Sequence, residues 1–350
     1  MSFVVPGLSQ SYTSYHNPVT AVKPHPNPST FTLVLGGGGA RGLAHIGVLK
    51  ALEREGLVPA FLVGTSMGAI VGGMYAQRPD ARLVEDRMRE LLQSKSFRKI
   101  GLDAFAHDGA PDGLSTVSNL YGRMKRGYGL LKSTWSTGIV EAPILLEFLG
   151  RLLDDRSIEE CAIPFASVAC DLMTGQEVVC QTGSILLAVA TSSAIPGVVT
   201  PININGRLLV DGAPTSIVPV HAAQRLSTFP VVAVSVTQDV REGKPIANAI
   251  DVVLRAGAIA RMQLSESNLG SADVVLRPQV ESYGWADFDS HVELIAEGGR
   301  AVENALQEIV FALRVRRRSQ TRRTLSEPEI KGRRSGRASR LGHDRHHRPR

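Results

Sequence analysis

Two apolar strands, each followed at once by a glycine-containing turn and a helix, constrain the fold more than any other feature. The first is Phe31–Leu35, which runs into four glycines and then into the helical pattern Leu43–Glu55. The second is Ala60–Val63, which runs into a short turn and the small-residue helical pattern Met67–Ala76. Continuous apolar strands separated by helices are typical of a parallel sheet covered on both faces. We therefore expect an α/β fold with a mainly parallel central sheet.

The same alternation continues along the chain. Further strands are predicted at Phe165–Cys170, Glu177–Cys180, Arg207–Val210, Pro230–Val236 and Asp273–Leu276, and further helices at Ser184–Ser193, Pro219–Arg225, Ile246–Asn268 and Ser290–Leu313. Hydrophobic residues make up 43% of the chain and charged residues 21%, which excludes a mostly disordered protein. No uninterrupted apolar run is long enough to predict a membrane span.

Composition divides the chain into a folded domain with extensions at both ends. Residues 1–30 hold five prolines among polar residues and form a predicted flexible leader, and residues 31–313 form the predicted catalytic domain. Within that domain, residues 96–138 are rich in glycine, which predicts a cap or access segment or, alternatively, a plain insertion. Residues 314–350 form a predicted basic, disordered tail.

Most of the excess positive charge lies in that tail. The chain has 39 Lys and Arg and 33 Asp and Glu, a net charge of +6, but residues 314–350 hold 14 of the basic residues and 3 of the acidic ones. The rest of the chain is therefore acidic, and the tail lacks aromatic residues that stack on bases, so we expect no nucleic-acid partner. The tail is expected either to have no partner or to contact anionic lipid headgroups peripherally.

Cysteine usage bears on the cellular compartment. Cys161, Cys170 and Cys180 form no C-x-x-C pair, so we expect neither a disulfide framework nor a zinc site. This usage suits a reducing compartment, and the first thirty residues lack the apolar core of a signal peptide. The sequence therefore predicts a cytoplasmic protein, which would be peripheral at the membrane if the tail binds lipid.

The first motif is the glycine loop that follows the first strand. It contains G-x-G-x-x-G at Gly37, Gly39 and Gly42, and its backbone N–H groups at a helix start favour negative charge. A dinucleotide site is one interpretation, but it needs an acidic residue at the end of the next strand. That strand runs instead into Gly64, Thr65 and Ser66, so the acidic residue that a dinucleotide site requires is absent from this position.

The second motif is G-x-S-x-G, at Gly64, Ser66 and Gly68, between a strand and a helix. This is the setting of a nucleophile elbow, a sharp turn that lifts a serine hydroxyl above the sheet. The alternative is a plain turn in which Ser66 only caps the following helix.

The third motif is Asp211-Gly212-Ala213, at the end of the strand Arg207–Val210. Asp-Gly is also a common turn dipeptide.

Taken together, the three motifs fit acyl transfer. Ser66 attacks a carbonyl carbon, backbone N–H groups of the glycine loop and of Met67 stabilise the oxyanion, and Asp211 accepts the serine proton. A carboxylate needs burial or a tight hydrogen bond to Ser66 for that task.

At these residues the chain resembles the bacterial patatin-like phospholipases. The matching segments are Gly37-Gly38-Gly39-Ala40-Arg41-Gly42 for G-G-G-x-R-G, Gly64-Thr65-Ser66-Met67-Gly68 for G-x-S-x-G, and Asp211-Gly212-Ala213 for D-G-A/G. The order of the motifs and their strand–loop–helix settings also match. The segments 171–175 and 192–197 are similar to family segments as well, so the resemblance covers about residues 31–313.

The resemblance implies a three-layer α/β/α domain that hydrolyses acyl esters of phospholipids or lysophospholipids with neither metal nor cofactor. By position, it implies that Ser66 is the nucleophile, that Asp211 is the base, and that the backbone of Gly37, Gly38 and Gly39 forms the oxyanion hole. Arg41 is expected to brace the glycine loop through backbone carbonyls, or alternatively to hold an anionic group.

Other functions remain open from the sequence. A catalytic triad would need His221 or His291, whereas the dyad needs no histidine. An acyltransferase would use the same acyl-enzyme with an alcohol or amine acceptor. A non-catalytic, membrane-associated regulatory protein could keep the fold, but it would have no chemical need for both Ser66 and Asp211.

Overall fold

The computed structural model describes residues 30–94, 97, 137–138, 140–237, 246 and 249–326, and its side-chain description of the last helix ends at Val315. The strands are β1 (Thr32–Leu35), β2 (Phe61–Thr65), β3 (Phe165–Asp171), β4 (Glu177–Cys180), β5 (Ile202–Ile204), β6 (Arg207–Asp211), β7 (Val231–Val234) and β8 (Val274–Leu276). The helices are α1 (Ala44–Arg54), α2 (Met67–Gln77), α3 (Ala81–Gln93), α4 (Ala142–Leu149), α5 (Ile185–Ser192), α6 (Ala213–Ser216), α7 (Val220–Leu226), α8 (Ala249–Leu269) and α9 (His291–Ser326), with short 3-10 turns at Gly39–Leu43 and Ile158–Glu160.

The strands form one sheet in the order β5-β6-β3-β2-β1-β7-β8, with β4 also paired to β3. The strands β1, β2, β3, β7 and β8 run parallel. The pairs β3–β4, β3–β6 and β5–β6 are antiparallel. The predicted α/β fold with a mainly parallel sheet is confirmed, and its antiparallel strands gather at the β3 end.

Two strands meet end to end along one edge of β3. In the parallel β2–β3 pair, Thr65 lies opposite Val168, and in the antiparallel β3–β6 pair, Asp211 lies opposite Ala169. Ala169 also pairs with Val178 of β4, so β4 occupies the other edge of β3 and β6 continues on the edge used by β2. The carboxyl ends of β2 and β6 therefore face each other.

Alternate residues of the central strands face two separate cores. Leu33, Leu35 and Leu62 belong to the larger core, to which α1, α2, α3, α5 and α9 contribute. Val34 and Val63 belong to the smaller core, to which α7 and the end of α8 contribute. Because successive strand residues point to opposite faces, helices cover the sheet on both sides and the domain has three layers.

Four elements, α3, α4, α6 and β5, are additions to the helices and strands predicted from the sequence. Asp80 caps the start of α3, because its side chain accepts hydrogen bonds from the backbone N–H groups of Arg82 and Leu83. Its buried residues include Val84 and Met88, spaced one turn apart, while the rest of the helix is largely charged. The helical spacing of its buried apolar residues therefore makes α3 amphipathic, although its many charged residues make this pattern hard to recognise in the sequence.

The last helix extends beyond the domain boundary predicted at residue 313. It ends at Ser326, because residues 314–326 include helix formers such as Arg and Leu and contain neither Gly nor Pro. The remainder of the predicted tail, the predicted leader apart from Thr30, and nearly all of the predicted cap segment lie outside the described residues. Within the part of the chain that the structure describes, no helix is both long and apolar enough to cross a bilayer.

Candidate active site

Ser66 occupies a sharp turn between β2 and α2. Its φ of 56° and ψ of −123° place an L-residue in a conformation that it rarely adopts, and Asn205 is the only other described non-glycine residue with a positive φ. A Cβ on Gly64 would lie 2.4 Å from the Gly68 carbonyl oxygen, and a Cβ on Gly68 would lie 2.0 Å from the Leu35 carbonyl oxygen. Both glycines of G-x-S-x-G are therefore required by close backbone packing.

The side chain of Ser66 does not cap α2. Its hydroxyl group instead donates a hydrogen bond to the carboxylate of Asp211. The opposed ends of β2 and β6 bring the two residues together. A hydrogen bond from Thr65 Oγ1 to the Ser216 carbonyl oxygen, at 2.9 Å, also joins the end of β2 to the helix α6 that follows β6. The strained turn therefore directs the Ser66 hydroxyl group toward Asp211 rather than toward the backbone N–H groups at the start of α2.

Asp211 is a buried carboxyl group with 3% of its surface exposed. Burial raises the pKa of Asp211 from 3.8 to about 6, because desolvation disfavours the carboxylate. Hydrogen bonds from the Ser66 hydroxyl and from the Ala213 N–H, at 2.8 Å, act in the opposite direction, as does the positive charge of Arg261. The Gly212-Ala213 turn thus supplies a donor that favours the ionised form.

Arg261 is a site residue that the sequence did not indicate. It lies on α8, is partly buried, and its positive charge lowers the pKa of Asp211. The pKa of Arg261 itself is lowered by desolvation, against the raising effect of Asp211. No motif surrounds Arg261, and only the packing of α8 beside α6 brings it near the carboxylate.

The glycine loop lies against the serine turn. A Cβ on Gly37 would be 3.2 Å from the Ser66 Cβ, and one on Gly42 would be 2.5 Å from the Met67 Cγ. The Gly37 N–H donates to the Ile217 carbonyl oxygen at 2.8 Å, so this group is not available to an oxyanion. This corrects the predicted oxyanion hole, because the Ile217 carbonyl comes from a distant segment that the motif does not reveal.

Three other backbone N–H groups belong to the glycine loop or to the serine turn. Those of Gly38, Gly39 and Met67 have no hydrogen-bond partner among the described residues. Gly39 lines the same cavity as Ser66, and Met67 is the first residue of α2. These N–H groups are the candidate oxyanion donors.

Two buried side chains brace the glycine loop. Arg41 donates from Nε to the Gly38 carbonyl oxygen at 3.4 Å, a contact of the kind expected for bracing. His45 is fully buried and lies 2.7 Å through Nε2 from the Gly36 carbonyl oxygen. Burial lowers the pKa of His45 to about 4, so the ring is neutral at pH 7 and donates through Nε2.

Neither candidate triad histidine contacts Ser66 or Asp211. His221 Nε2 lies 3.1 Å from the Ser271 hydroxyl group, and His291 Nδ1 lies 3.2 Å from the Asp289 carbonyl oxygen. Both histidines are at the surface of the domain. Within the described ranges, no group of His, Cys, Asp and Glu residues is arranged to hold a metal ion.

An apolar cavity of about 110 Å³ adjoins Ser66. It lies among the glycine loop, α2, α3, α4 and the segment after α5, and the aromatic residues in its wall include Phe97, Phe148, Trp285 and Phe288. The larger aliphatic residues in the wall are Met67, Ile70, Met88, Leu92, Val140, Leu145, Leu152, Ile195, Val198 and Val199. Such a wall suits an alkyl chain.

A family model described as patatin-like phospholipase matches residues 33–224, which is more than half of the chain and includes the glycine loop, the serine turn and Asp211. The chain belongs to the patatin-like phospholipase family. Among curated relatives, an uncharacterised NTE family protein of Mycobacterium tuberculosis is 34% identical over 203 residues, which are 58% of this chain and 48% of the relative. Patatin-like phospholipase domain-containing protein 6 of Homo sapiens is 30% identical over 210 residues, 59% of this chain and 13% of the relative.

This patatin-like chain thus matches about half of the length of the mycobacterial relative and a small part of the human one. Among solved structures, VipD from Legionella pneumophila gives a TM-score of 0.30 at 13% identity, covering 76% of this chain and 66% of that one. The ExoU–SpcU complex of Pseudomonas aeruginosa gives a TM-score of 0.29 at 17% identity, covering 86% and 62%.

Proposed function

We propose that this protein is a serine hydrolase that cleaves fatty-acyl esters of phospholipids or lysophospholipids through an acyl-Ser66 intermediate. The observation that carries the proposal is the hydrogen bond from Ser66 to a buried Asp211, beside an apolar cavity. Membership of the patatin-like phospholipase family supports a lipid substrate.

In the acylation step, Ser66 Oγ forms a bond to the carbonyl carbon while its proton passes to Asp211. The pKa of about 6 leaves Asp211 mostly ionised at neutral pH and yet basic enough to take a proton. The C–O bond to the alcohol then breaks, and Asp211 returns the proton to the leaving oxygen. The products are an acyl-serine and a free alcohol such as a lysophospholipid.

The negative charge on the oxygen of the tetrahedral intermediate is stabilised by N–H groups of Gly38, Gly39 and Met67. Gly39 and Met67 line the same cavity as Ser66, and the three N–H groups have no other partner among the described residues, which supports this role. Such donors act without reorganisation because the loop is already braced by Arg41 and His45.

The acyl chain occupies the apolar cavity, which leaves the headgroup outside it. In the deacylation step, Asp211 takes a proton from water, the water oxygen attacks the acyl carbon, and the bond to Ser66 Oγ breaks. The serine recovers its proton and a free fatty acid is released. Water is the acceptor in this proposal, and transfer to an alcohol or amine acceptor is the outcome that would turn the proposal toward an acyltransferase.

The test combines active-site labelling with product analysis. Wild-type protein, Ser66→Ala and Asp211→Asn are treated with a fluorophosphonate probe, and each is given lysophosphatidylcholine or phosphatidylcholine in mixed micelles with and without glycerol as a competing acceptor. His221→Ala is the matched control because His221 lies outside the dyad. We expect Ser66-specific labelling and fatty-acid release in wild type and the control, with both lost in Ser66→Ala. A folded wild type that neither labels nor releases fatty acid would overturn the proposal.

A further inference from the structure

The segment Ser192–Ala194 contacts both members of the dyad. Ser192 Oγ accepts a hydrogen bond from the Ser66 backbone N–H at 3.0 Å and donates to the Val168 carbonyl oxygen at 2.6 Å. The Ala194 carbonyl oxygen accepts a hydrogen bond from the Asp211 backbone N–H at 2.9 Å. Ser193 therefore lies between Ser192, which is hydrogen-bonded to the backbone of Ser66, and Ala194, which is hydrogen-bonded to the backbone of Asp211.

The side chain of Ser193 has no evident structural task. It is 7% exposed, and its Oγ is buried without a hydrogen-bond partner in the part of the chain that the structure describes. Its backbone is satisfied separately, since the Ser193 N–H donates to the Ala190 carbonyl oxygen and the Ser193 carbonyl accepts from the Ile195 N–H. A buried hydroxyl group without a partner destabilises a protein, so its presence calls for an explanation.

Ser193 also lines the same cavity as Ser66. The large side chains that line this cavity are apolar, and a saturated acyl chain offers no polar atom to a hydroxyl group. The polar atoms of a bound ester that come to Ser66 are the two oxygens on the reacting carbon. In the proposed mechanism, backbone N–H groups donate to the carbonyl oxygen. The leaving oxygen must lie on the side of Asp211, because Asp211 returns a proton to it.

We propose that the Ser193 hydroxyl group donates a hydrogen bond to the leaving-group oxygen of the bound ester, and this inference rests on the proposed hydrolase function. Ser193 keeps its own proton throughout. As the C–O bond breaks, the electron pair goes to the leaving oxygen, Ser193 stabilises the growing negative charge, and the proton held on Asp211 completes the alcohol. Ser193 is then a catalytic residue because it contacts a reacting atom.

The leaving group provides the decisive test. An alkoxide is a poor leaving group that benefits from a donor, whereas 4-nitrophenolate departs without one. We therefore compare kcat/KM, which reports acylation, for monooctanoylglycerol and 4-nitrophenyl octanoate, two esters with the same acyl chain. Ser193→Ala is expected to lower kcat/KM about 10- to 100-fold for the glycerol ester, as for a lost hydrogen bond to a charged group, and by less than about threefold for the nitrophenyl ester.

Thermal unfolding separates this role from a structural one. Ser193→Ala removes an unpaired buried hydroxyl group, so its Tm should equal or exceed that of wild type. Ser265→Ala is the matched control because Ser265 Oγ is also buried without a described partner but does not line the cavity. It should have the same effect on Tm and leave both rates unchanged. Ser192→Ala, which loses two hydrogen bonds, should lower Tm.

Equal losses of kcat/KM on the two esters, no loss on either, or a rate loss that follows a lowered Tm would each overturn the assignment of Ser193. Wild-type protein that hydrolyses neither ester and does not react with a fluorophosphonate would overturn the proposed function, and the inference on Ser193 would fall with it. Hydrolysis by wild type with no dependence on Ser193 would overturn this inference only.

Discussion

Thr65 and Asp211 lie opposite consecutive residues of β3, so that β2 and β6 meet end to end along one edge of that strand. Ser66 is the residue after Thr65, and its hydroxyl group bonds to the Asp211 carboxylate. The relative position of Ser66 and Asp211 is therefore set by ladder hydrogen bonds of the sheet rather than by a flexible loop. Sites built on such elements hold their geometry closely.

The raised pKa of Asp211 predicts a pH-dependent stability. The folded-state pKa of about 6 lies above the ordinary 3.8, so the folded protein holds this proton more tightly than the unfolded chain. The free energy of unfolding should fall by about 3 kcal/mol as pH rises from about 4 to 6 and then level off. Asp211→Asn lacks this dependence and should be more stable than wild type at pH 7, with the difference vanishing near pH 4. Urea unfolding across this range measures it, and a difference that is constant with pH would contradict the burial argument.

Arg261 predicts a shift in the pH–rate profile. In the proposed mechanism Asp211 acts as the base, so kcat/KM should decline as pH falls through about 6. Arg261→Met removes a positive charge that lowers the pKa of Asp211, so the acid limb should move to higher pH, while Arg261→Lys should leave it nearly in place. Arg255→Met, on the same helix, is the control, since Arg255 is not among the groups that act on Asp211. A profile unchanged in Arg261→Met would remove Arg261 from the site.

Gly39 predicts a local effect on turnover. Its φ is +59°, and a Cβ at this position would lie 2.2 Å from the Trp285 carbonyl oxygen. Gly39→Ala should displace the loop that carries the proposed oxyanion donors and lower kcat about 100-fold or more. Gly56→Ala shares a positive φ of 67° but meets nothing within 4 Å, so it should cost about 1 kcal/mol of stability and leave turnover intact. Initial rates and chemical unfolding of both variants make the comparison, and equal activities would argue against this loop as the oxyanion site.

The cavity predicts control of acyl-chain length. Leu92 of α3 lines its wall, so Leu92→Trp should shorten the space open to an alkyl chain. We expect kcat/KM for a long-chain ester to fall about tenfold while that for the butyrate ester changes little, since each buried methylene contributes about 0.8 kcal/mol. A chain-length series of 4-nitrophenyl esters measures the effect, and a uniform loss across the series would indicate general disruption instead.

The basic tail predicts salt-sensitive binding to anionic lipid. A chain that ends at Ser326 keeps α9 whole and lacks residues 327–350, which carry eight of the basic residues and three acidic ones. Co-sedimentation with phosphatidylserine vesicles should weaken on truncation and at high salt, while phosphatidylcholine vesicles bind little in either case. Equal binding by the full and truncated chains would show that residues 327–350 are not the contact.

Local patterns predicted the parts of the site that local chemistry determines. Apolar runs followed by glycines placed β1, β2 and both turns, because close backbone packing at Gly64 and Gly68 leaves no room for a side chain. The direction of β6 could not be read in this way, since an apolar strand looks the same whether it runs parallel or antiparallel. The motifs therefore predicted Ser66 and Asp211 as candidate residues but not the end-to-end arrangement of β2 and β6 that brings them together.

Relations between distant segments account for what sequence reasoning missed. The Gly37 N–H is occupied by Ile217, and Arg261 reaches Asp211 from the middle of an unremarkable helix. Ser193 stood within a family-like segment, yet its buried, unpaired hydroxyl group is visible only when its neighbours in space are known.

The end-to-end meeting of β2 and β6 also bears on when the protein becomes competent during folding. Their common partner, β3, lies between them in the chain, and contacts between segments so distant in sequence form slowly. A partly synthesised chain that lacks β6 has the serine turn without the Asp211 carboxylate. The Ser66 hydroxyl group therefore meets that carboxylate only when the sheet is nearly complete, so the proposed hydrolase activity would arise only together with the finished fold.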